Sequence, residues 1–430
     1  MPRKPPPLET LRCIAEEIPT PFHLYDAEGI RENVRELQRA FAWNPGFTEY
    51  FAVKATPNPS ILRLLKELGC GVDCASYTEL LLAHEVGFRG DEIMFSSNAT
   101  PAEDFLLARE LDAIINLDDI SHIDFLAEHG GIPERVSLRY NPGGDFRLGT
   151  RVMGNPAEAK FGLTPEQMPV AIRRLQELGV EEFGLHSFLA SNTTDADYYP
   201  TIARMLFELA ADLHRDCGAE FFLVNLSGGI GIPYEPDQPR ADLAYIGREV
   251  ERAYAETIVP AGMDPLSVVT ELGRFITGPN GWLVATAVHE KDTHKHYLGL
   301  DASASNLMRP SMYGAYHHIT VAGKEDAPAE RVYDVTGALC ENNDKFAIDR
   351  ALPEIEIGDL VVLHDSGAHG HSMGHNYNGK LRSAEVLLEP DGCFRLIRRA
   401  ETPRDYFATV AGIDVPEELG APEHDPLQRA

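Results

Sequence analysis

Short apolar runs alternate with amphipathic segments between Glu49 and Glu271. The runs are rich in β-branched and aromatic residues and predict strands at 49–54, 71–75, 92–96, 113–117, 135–140, 182–188, 220–226 and 267–271. Segments between them, such as "NPSILRLLKELG" and "YTELLLAHEVGF", carry apolar residues at i, i+3 and i+4 spacing and predict helices. Eight strand–helix units with short connections favour a closed (β/α)8 barrel, with a doubly wound sheet as the alternative.

After Phe275 the pattern changes to strand-like runs separated by turn signals, with little helical periodicity between them. Examples are "WLVATAVHE", "HYLGLDA", "RVYDVTG" and "LVVLHDSG". We therefore predict an α/β chain with a TIM-type (β/α)8 barrel over 24–275, followed by a mostly β C-terminal domain over 276–430. The N-terminal segment 1–23 is expected to join this second domain.

The composition narrows the class of protein. Hydrophobic residues make up 43% of the 430 residues, enough for a sizeable core, and 38 basic against 67 acidic residues give a net charge of −29. This acidity argues against nucleic acid or an anionic membrane as a partner. The six cysteines form no C-x-x-C pair, and no apolar stretch approaches 18 residues, so we expect a cytoplasmic protein with reduced thiols.

Candidate chemistry stands at the ends of the predicted strands, where (β/α)8 barrels place their functional residues. Lys54 ends the first strand, Asp73 lies near the end of the second, and the sixth runs through His186 to Phe188. Gly-rich "NLSGGIGIPY" follows the seventh strand, and "ELGR" (271–274) follows the eighth. Taken singly, Lys54 is more often a solvated cation, a Gly-rich run is more often a tight turn, and Glu271 with Arg274 is more often a surface pair. Together, an amine, a backbone anion nest, a carboxylate and a guanidinium suit pyridoxal phosphate (PLP).

The residue types match the needs of that cofactor. Lys54 would bind PLP covalently, and this requires the amine in its neutral form. No Asp or Glu lies within three residues of Lys54 in the sequence, so we expect no acidic neighbour to raise the pKa of its amine. The Gly-rich loop and Arg274 would hold the phosphate. Glu271 would keep the pyridine nitrogen protonated, so that the ring can withdraw electrons.

Ordered motifs add a family resemblance over nearly the whole chain. They are "YFAVKATPNPSILRLLKELGCGVDCASYTEL", "KFGL" (160–163), "LSGGIGIPY" (226–234), "ELGR", "RPSMYGAYHHI" (309–319), "CENND" (340–344) and "GAHGHSMGHNYNGKLRSAEVLL". In this order they resemble the fold-type III PLP-dependent decarboxylases, whose barrel is alanine racemase-like. The resemblance is greatest to the diaminopimelate decarboxylases.

The resemblance implies which residues form the site. Lys54 and Cys340 are the implied catalytic residues, with Cys340 protonating the carbon that loses CO2. The implied cofactor contacts are Lys54, Asp73, His186, Phe188, Ser191, Gly228, Gly229, Glu271, Gly273, Arg274, His369 and Tyr377. The implied substrate contacts are Arg274, Arg309, Tyr313, Glu341 and His369. A homodimer is also implied, in which Cys340 and Glu341 reach the Lys54 of the partner chain.

Several positions depart from the family pattern. Phe188 stands where a histidine usually stacks on the PLP ring; a phenyl ring still stacks but forms no hydrogen bond. Ala190 replaces a usual Gly, and Leu272 replaces the Pro of the usual "EPGR". His369 replaces the Tyr of the usual "GAY", and "CENN" replaces a Cys-Glu-Ser run. These changes lie around the expected substrate, and they bear on the choice of substrate more than on the choice of cofactor.

Arg309 and Tyr313 favour a substrate with a distal carboxylate, because an arginine fork matches a carboxylate bidentately. The resemblance thus implies decarboxylation of meso-diaminopimelate to L-lysine and CO2, in lysine biosynthesis. The alternatives are a related decarboxylase of D-ornithine, D-lysine or another diamino acid, an amino-acid racemase, and a non-catalytic PLP-fold binding protein.

Two further features carry weaker expectations. His364 and the H-x-H-x3-H run His369, His371 and His375 could bind zinc, but no thiol or carboxylate of suitable spacing accompanies them. We favour histidines that line an anionic site, with no metal. The segment "PGGDFRLGTR" (142–151) is predicted to be a mobile loop near the barrel mouth.

Overall fold

The computed structural model describes residues 3–144 and 155–416, which divide into two compact units. One unit contains the described residues of Arg31–Ile232 and Pro239–Phe275. The other contains those of Met1–Ile30, Pro233–Gln238 and Ile276–Ala430. From residue 145 onward, the loop predicted over 142–151 lies outside the described residues.

The regular elements are numbered in chain order. The strands are β1 (Phe22–Asp26), β2 (Thr48–Ala52), β3 (Gly71–Cys74), β4 (Ile93–Ser96), β5 (Ile114–Leu117), β6 (Arg135–Arg139), β7 (Glu182–His186), β8 (Glu220–Asn225), β9 (Ser267–Thr270), β10 (Gly281–Asp292), β11 (His296–Leu300), β12 (Ile319–Val321), β13 (Arg331–Thr336), β14 (Lys345–Leu352), β15 (Leu360–Leu363), β16 (Ala384–Leu388) and β17 (Phe394–Arg398). The helices are α1 (Leu8–Glu17), α2 (Ala27–Ala40), α3 (Pro59–Glu67), α4 (Tyr77–Val86), α5 (Ala102–Glu110), α6 (Ser121–His129), α7 (Gln167–Glu177), α8 (Tyr198–Cys217), α9 (Leu243–Thr257), α10 (Gly273–Thr277), α11 (Arg309–Tyr313) and α12 (Pro403–Tyr406).

Strands β2 to β9 form a closed parallel barrel in chain order, and β2 pairs with β9 to close it. This confirms the predicted (β/α)8 architecture. Hydrophobic side chains from five of these strands fill the interior, namely Tyr50, Met94, Ile114, Leu223 and Val269. The polar residues at the carboxyl ends of the strands are therefore left to line the mouth of the barrel.

Local sequence explains how the helices return the chain to the next strand. Helix α3 begins after Asn58, whose side chain accepts a hydrogen bond from the N–H of Ser60, and it buries an apolar face that includes Leu62 and Leu65. Helix α4 begins after Ser76 and ends at Gly87, which has a φ of +104° that favours glycine. Asn58 and Ser76 thus mark where these two helices begin, and Gly87 marks where α4 ends.

The second unit is mostly β, as predicted. Its strands run in the order β14-β13-β11-β10-β1-β16-β17, and β15 pairs with both β10 and β12. The N-terminal strand β1 lies between β10, which is antiparallel to it, and β16, which is parallel to it. Leu283, Leu298, Val335 and Val361 belong to one of its cores. Within the described residues, no helix combines the length and the apolar character needed to cross a membrane.

Candidate active site

Lys54 lies just beyond β2, in a short 3-10 turn over Val53–Ala55. Its side chain is 49% exposed, and its Nζ lies 3.3 Å from Oδ2 of the buried Asp73. Parallel pairing sets Ala52 of β2 opposite Asp73 of β3, which brings the carboxylate alongside the amine. The expectation that Lys54 has no acidic partner is therefore wrong, because the partner lies on the neighbouring strand rather than nearby in sequence.

Three carboxyl groups act on the Lys54 amine. Desolvation alone would lower the pKa of Lys54, but Asp73, Glu271 and Glu79 outweigh it, and the pKa is raised. This differs from the depressed amine pKa expected from the sequence. Burial and the Glu271 carboxylate raise the pKa of Asp73, so Asp73 holds a proton more readily than an ordinary aspartate.

Glu271 is held as an anion at the barrel mouth. It is 7% exposed, and its carboxylate accepts hydrogen bonds from Asn225 Nδ2 at 2.6 Å and Ser227 Oγ at 3.1 Å. His186 Nε2 lies 3.6 Å from its Oε2. Although burial alone would raise the pKa of Glu271, His186, Lys54 and the Asn225 hydrogen bond lower it. The result is a fixed negative charge, the type of group that holds a proton on a pyridine nitrogen.

The Gly-rich loop after β8 is shaped by close approaches. Gly229 has a φ of +116°, and a Cβ there would lie 2.8 Å from the ring of Tyr198. At Gly228 a Cβ would lie 2.9 Å from the carbonyl oxygen of Glu271. Both positions therefore require glycine, and a tight loop of this kind after a strand makes a nest of backbone N–H groups suited to an anion.

His186 is the last residue of β7, and Phe188 lies two residues further along the chain. Asn116 Nδ2 lies 3.0 Å from His186 Nδ1. If this amide donates to Nδ1, the imidazole proton lies on Nε2, toward Glu271. Phe188 is half-buried, and one of its ring atoms would lie 3.6 Å from a Cβ on Gly228. Phe188 is thus beside the Gly-rich loop, where an aromatic face is available for stacking.

Sequence reasoning missed five polar residues at this mouth. Asn225 and Ser227 hold Glu271, and Asn116 contacts His186. The guanidinium of Arg139 pairs with the buried Asp118 at 3.0 Å and lies 5.9 Å from the ring centroid of Phe188. Asn225 and Arg139 are the last residues of β8 and β6, so a search for polar residues at every strand end would have found them.

Three of the predicted site residues in the second unit cluster together. The hydroxyl of Tyr377 lies 3.4 Å from Cys340 Sγ and donates to Glu341 Oε1 at 2.9 Å. The N–H of Cys340 donates to Asn378 Oδ1 at 2.8 Å. The hydrogen bonds with Tyr377 and Asn378 lower the pKa of the exposed Cys340 thiol. The cluster is an accessible thiol beside a phenol and a carboxyl group.

Arg309 is buried at the start of α11, and its Nη1 lies 2.7 Å from Nε2 of His317. His317 is itself fully buried, and its Nδ1 lies 2.8 Å from the carbonyl oxygen of His364. Because that carbonyl only accepts, Nδ1 carries the proton and Nε2 accepts from Arg309. The guanidinium also lies 4.5 Å from the ring of Tyr234. Arg309 is therefore a pre-oriented cation.

Tyr313 ends α11 and is 45% exposed. Ser311 of the same helix donates to the carbonyl oxygen of Asn343 at 2.7 Å, which ties α11 to the Cys340–Glu341 segment. The second unit thus brings together two groups of predicted site residues that are about 30 positions apart in the sequence.

The remaining predicted residues are placed as follows. Ser191 lies in the loop after β7, and Gly273 and Arg274 open α10. A Cβ on Gly273 would lie 2.6 Å from Cβ of Ala55, so this segment packs against the turn that carries Lys54. His369 lies in the loop after β15 with a φ of +55°.

The histidines considered for zinc have other contacts. His364 Nε2 lies 2.9 Å from Thr320 Oγ1, and His371 Nε2 lies 3.1 Å from the carbonyl oxygen of Ser383. The N–H of Tyr377 donates to His375 Nδ1 at 3.3 Å. In residues 3–144 and 155–416, no three His, Cys, Asp or Glu side chains form a group able to hold a metal ion.

Residues 27–278 match the family described as pyridoxal-dependent decarboxylase, pyridoxal binding domain. The chain belongs to the pyridoxal-dependent decarboxylase family. It is a PLP-dependent carboxy-lyase, and the PLP cofactor predicted from the strand-end residues is confirmed by this membership.

Several known proteins are similar to the chain over almost their full length. Protein TabA from Pseudomonas amygdali pv. tabaci is 41% identical over 91% of this chain and 91% of its own. Diaminopimelate decarboxylase from Methanothermobacter thermautotrophicus is 33% identical over 94% of both chains. The crystal structure of diaminopimelate decarboxylase from M. jannaschii in complex with L-lysine has a TM-score of 0.84 and 30% identity, covering 94% of each chain.

The residues at the barrel mouth fit a pyridoxal cofactor in type and placement. Asp73 Oδ1 is buried and has no hydrogen-bond partner among the described residues, as expected of an atom that faces a polar ligand. Lys54 would bind the cofactor's aldehyde carbon, Glu271 would face its ring nitrogen, and the loop at Gly229 would hold its phosphate. These three groups all lie at carboxyl ends of barrel strands.

Proposed function

We propose that this decarboxylase converts meso-diaminopimelate to L-lysine and CO2, a step of lysine biosynthesis. The observation that carries the proposal is the buried, pre-oriented guanidinium of Arg309, held by the neutral side chain of His317. A fixed arginine fork suits a distal carboxylate, whereas the distal amine of ornithine or lysine requires an acidic partner. The similarity to diaminopimelate decarboxylases, one of them solved with L-lysine, supports the same substrate.

The proposed roles follow from the geometry of each side chain. PLP supplies an electron-withdrawing ring once it is bound. Lys54 holds the cofactor, and Glu271 keeps a proton on its ring nitrogen through a charge fixed by Asn225 and Ser227. Cys340, whose thiol pKa is lowered, donates the proton that replaces the lost carboxylate.

We also propose that two copies of the chain form a dimer with shared active sites. Cys340 and Glu341 of one subunit would act at the barrel mouth of the other. Co-expression of Lys54→Ala and Cys340→Ala chains tests this arrangement. Random pairing of the two inactive chains should restore about one quarter of the wild-type activity, because half of the dimers then contain one intact site. If each site belongs to a single chain, the mixture stays inactive.

A decarboxylase of another amino acid, such as D-ornithine or D-lysine, is the second candidate. Protein TabA, at 41% identity, is more similar to the chain than the diaminopimelate decarboxylase at 33%. Phe188, Leu272 and His369 also depart from the pattern of the diaminopimelate decarboxylases. Such changes around a substrate are typical of altered specificity.

The deciding experiment compares CO2 release from meso-diaminopimelate with release from D- and L-ornithine and D- and L-lysine. We expect activity with meso-diaminopimelate; activity confined to the diamino monoacids would refute the proposal. Arg309→Lys should raise KM for meso-diaminopimelate by about tenfold or more, because an ammonium cannot reproduce the fork. Arg331→Lys is the matched control, since Arg331 is 51% exposed and pairs with Glu354 on the surface.

A further inference from the structure

The buried carboxyl group of Glu49 has no role among those proposed above. Glu49 is 2% exposed and stands on β2, opposite Thr270 of β9. Because side chains alternate along a strand, Glu49 points away from the barrel interior that Tyr50 helps to fill. Burying a carboxyl group is unfavourable unless its oxygens are hydrogen-bonded. The hydrogen bonds of the Glu49 carboxyl group therefore show which part of the backbone this residue restrains.

Each oxygen of Glu49 meets one donor, and the two donors flank Glu271. Thr270 Oγ1 donates to Glu49 Oε2 at 2.5 Å, and the backbone N–H of Leu272 donates to Oε1 at 2.6 Å. On another side, the N–H of Glu271 donates to the carbonyl oxygen of Ser227 at 2.9 Å. The backbone that carries Glu271 is thus held between β2 and the loop after β8.

This segment also packs against the turn that carries Lys54. A Cβ on Gly273 would lie 2.6 Å from Cβ of Ala55 and 3.3 Å from Cβ of Ala52. A displacement of the 271–273 backbone toward that turn would therefore press on the residues on either side of Lys54. A small displacement of this segment would therefore move both Glu271 and Lys54, the two groups that would contact the cofactor.

We propose that Glu49 is a positioning residue for Glu271, which it places by fixing the backbone on both sides of it. The inference rests on the role of Glu271 proposed above. Glu49 itself touches neither cofactor nor substrate in this scheme. Its two hydrogen bonds, rather than its charge, provide the effect.

The protonation of Glu49 is compatible with this role. Burial raises the pKa of Glu49 to about 8, against the hydrogen bonds from Thr270 and Leu272. As an anion Glu49 accepts both hydrogen bonds. When it holds a proton, it still accepts the N–H of Leu272, and its own O–H takes over the role of donor toward Thr270 Oγ1, because a hydroxyl both donates and accepts. A glutamine amide has the same donor and acceptor in the same positions. Glu49→Gln is therefore a conservative variant that should preserve the arrangement.

The test compares Glu49→Gln, Glu49→Leu and Thr270→Val as holoenzymes. The measurements are Tm, the Kd for PLP, the midpoint pH of the bound cofactor's visible absorption, and kcat. Glu49→Gln should stay within about threefold of wild type in kcat and Kd and keep the midpoint, because its amide reproduces both hydrogen bonds. Glu49→Leu should lower kcat by about 10- to 100-fold and shift the midpoint, because a misplaced catalytic group reduces the rate.

A purely structural role predicts a different result. In that case Glu49→Leu lowers Tm but leaves the absorption midpoint and kcat of the folded holoenzyme unchanged, which would overturn the inference. Equal losses in Glu49→Gln and Glu49→Leu would also overturn it, since charge would then be the cause. If Glu49→Leu does not fold, Thr270→Val decides, because it removes one of the two donors and should shift the midpoint in the same direction.

Glu271→Gln separates this inference from the function on which it rests. An unchanged kcat and absorption midpoint in Glu271→Gln would show that the role proposed for Glu271 is wrong. If Glu271→Gln changes both quantities while Glu49→Leu changes neither, only the role of Glu49 fails.

Discussion

Replacing the carboxylate of Glu271 by an amide tests the barrel site most directly. Glu271→Gln keeps the shape of the side chain, and its amide can still bond to Asn225 Nδ2 and Ser227 Oγ, now 2.6 and 3.1 Å from the carboxylate oxygens. Two charge-assisted hydrogen bonds become neutral ones, at a cost of about 1 kcal/mol each, or about 2 kcal/mol of stability. The negative charge that we propose faces the cofactor's ring nitrogen is lost as well. We expect kcat to fall by about 10²- to 10³-fold, as for other preorganised electrostatic groups.

Glu385→Gln is the matched control. Glu385 is 1% exposed in the second unit, and its carboxylate accepts hydrogen bonds from Tyr25 and Arg398. The same substitution should therefore lower Tm to a similar extent. It should leave kcat unchanged in enzyme whose PLP content is measured by absorbance. If Glu271→Gln keeps kcat within about threefold of wild type, or if both variants lose kcat alike, the electrostatic role of Glu271 is refuted.

Three further predictions use other groups of side chains. Tyr377→Phe should raise the pKa of Cys340 and slow its alkylation by iodoacetamide at neutral pH, because Tyr377 contributes most to the lowered thiol pKa; an unchanged rate–pH profile would contradict this. His317→Phe removes the acceptor that orients Arg309, so KM for meso-diaminopimelate should rise about tenfold while kcat changes little, and His317→Gln should restore KM. The folded state lowers the pKa of Glu385 from 4.5 to about 2, so its contribution to stability is full above pH 4.5 and is lost as the pH falls toward 2. The Tm of wild type should fall more steeply than that of Glu385→Gln across that window, and parallel curves would show that Glu385 does not act in this way.

The order of elements could be predicted from the sequence because it depends on local pattern. Strand β3 buries every side chain, and α3 buries one apolar face, as the periods of the two segments indicate. The positions of Lys54 and Glu271 at strand ends follow from the same pattern, together with the rule that barrels place functional residues there. Asn58 and Gly87, which cap α3 and α4, also lie close in sequence to the helix ends that they cap.

The sequence could not predict which side chains contact one another within the site, because these contacts depend on strand register and on burial. Asp73 is 19 residues from Lys54 in sequence, and only the pairing of β2 with β3 places it 3.3 Å away. The same applies to Asn225, which is 46 residues from Glu271 and donates to it at 2.6 Å. No local spacing rule covers such separations.

The sequence by itself determined the class of fold, the mouth at which chemistry is placed, and the cofactor that suits those residues. It did so because hydrophobic period, turn residues and strand-end position are local properties. Only the tertiary structure decided the charges, since a pKa reflects which groups the fold brings together and how far it removes them from water. Glu271 is held as an anion, Asp73 retains its proton more readily, and the Lys54 amine is paired.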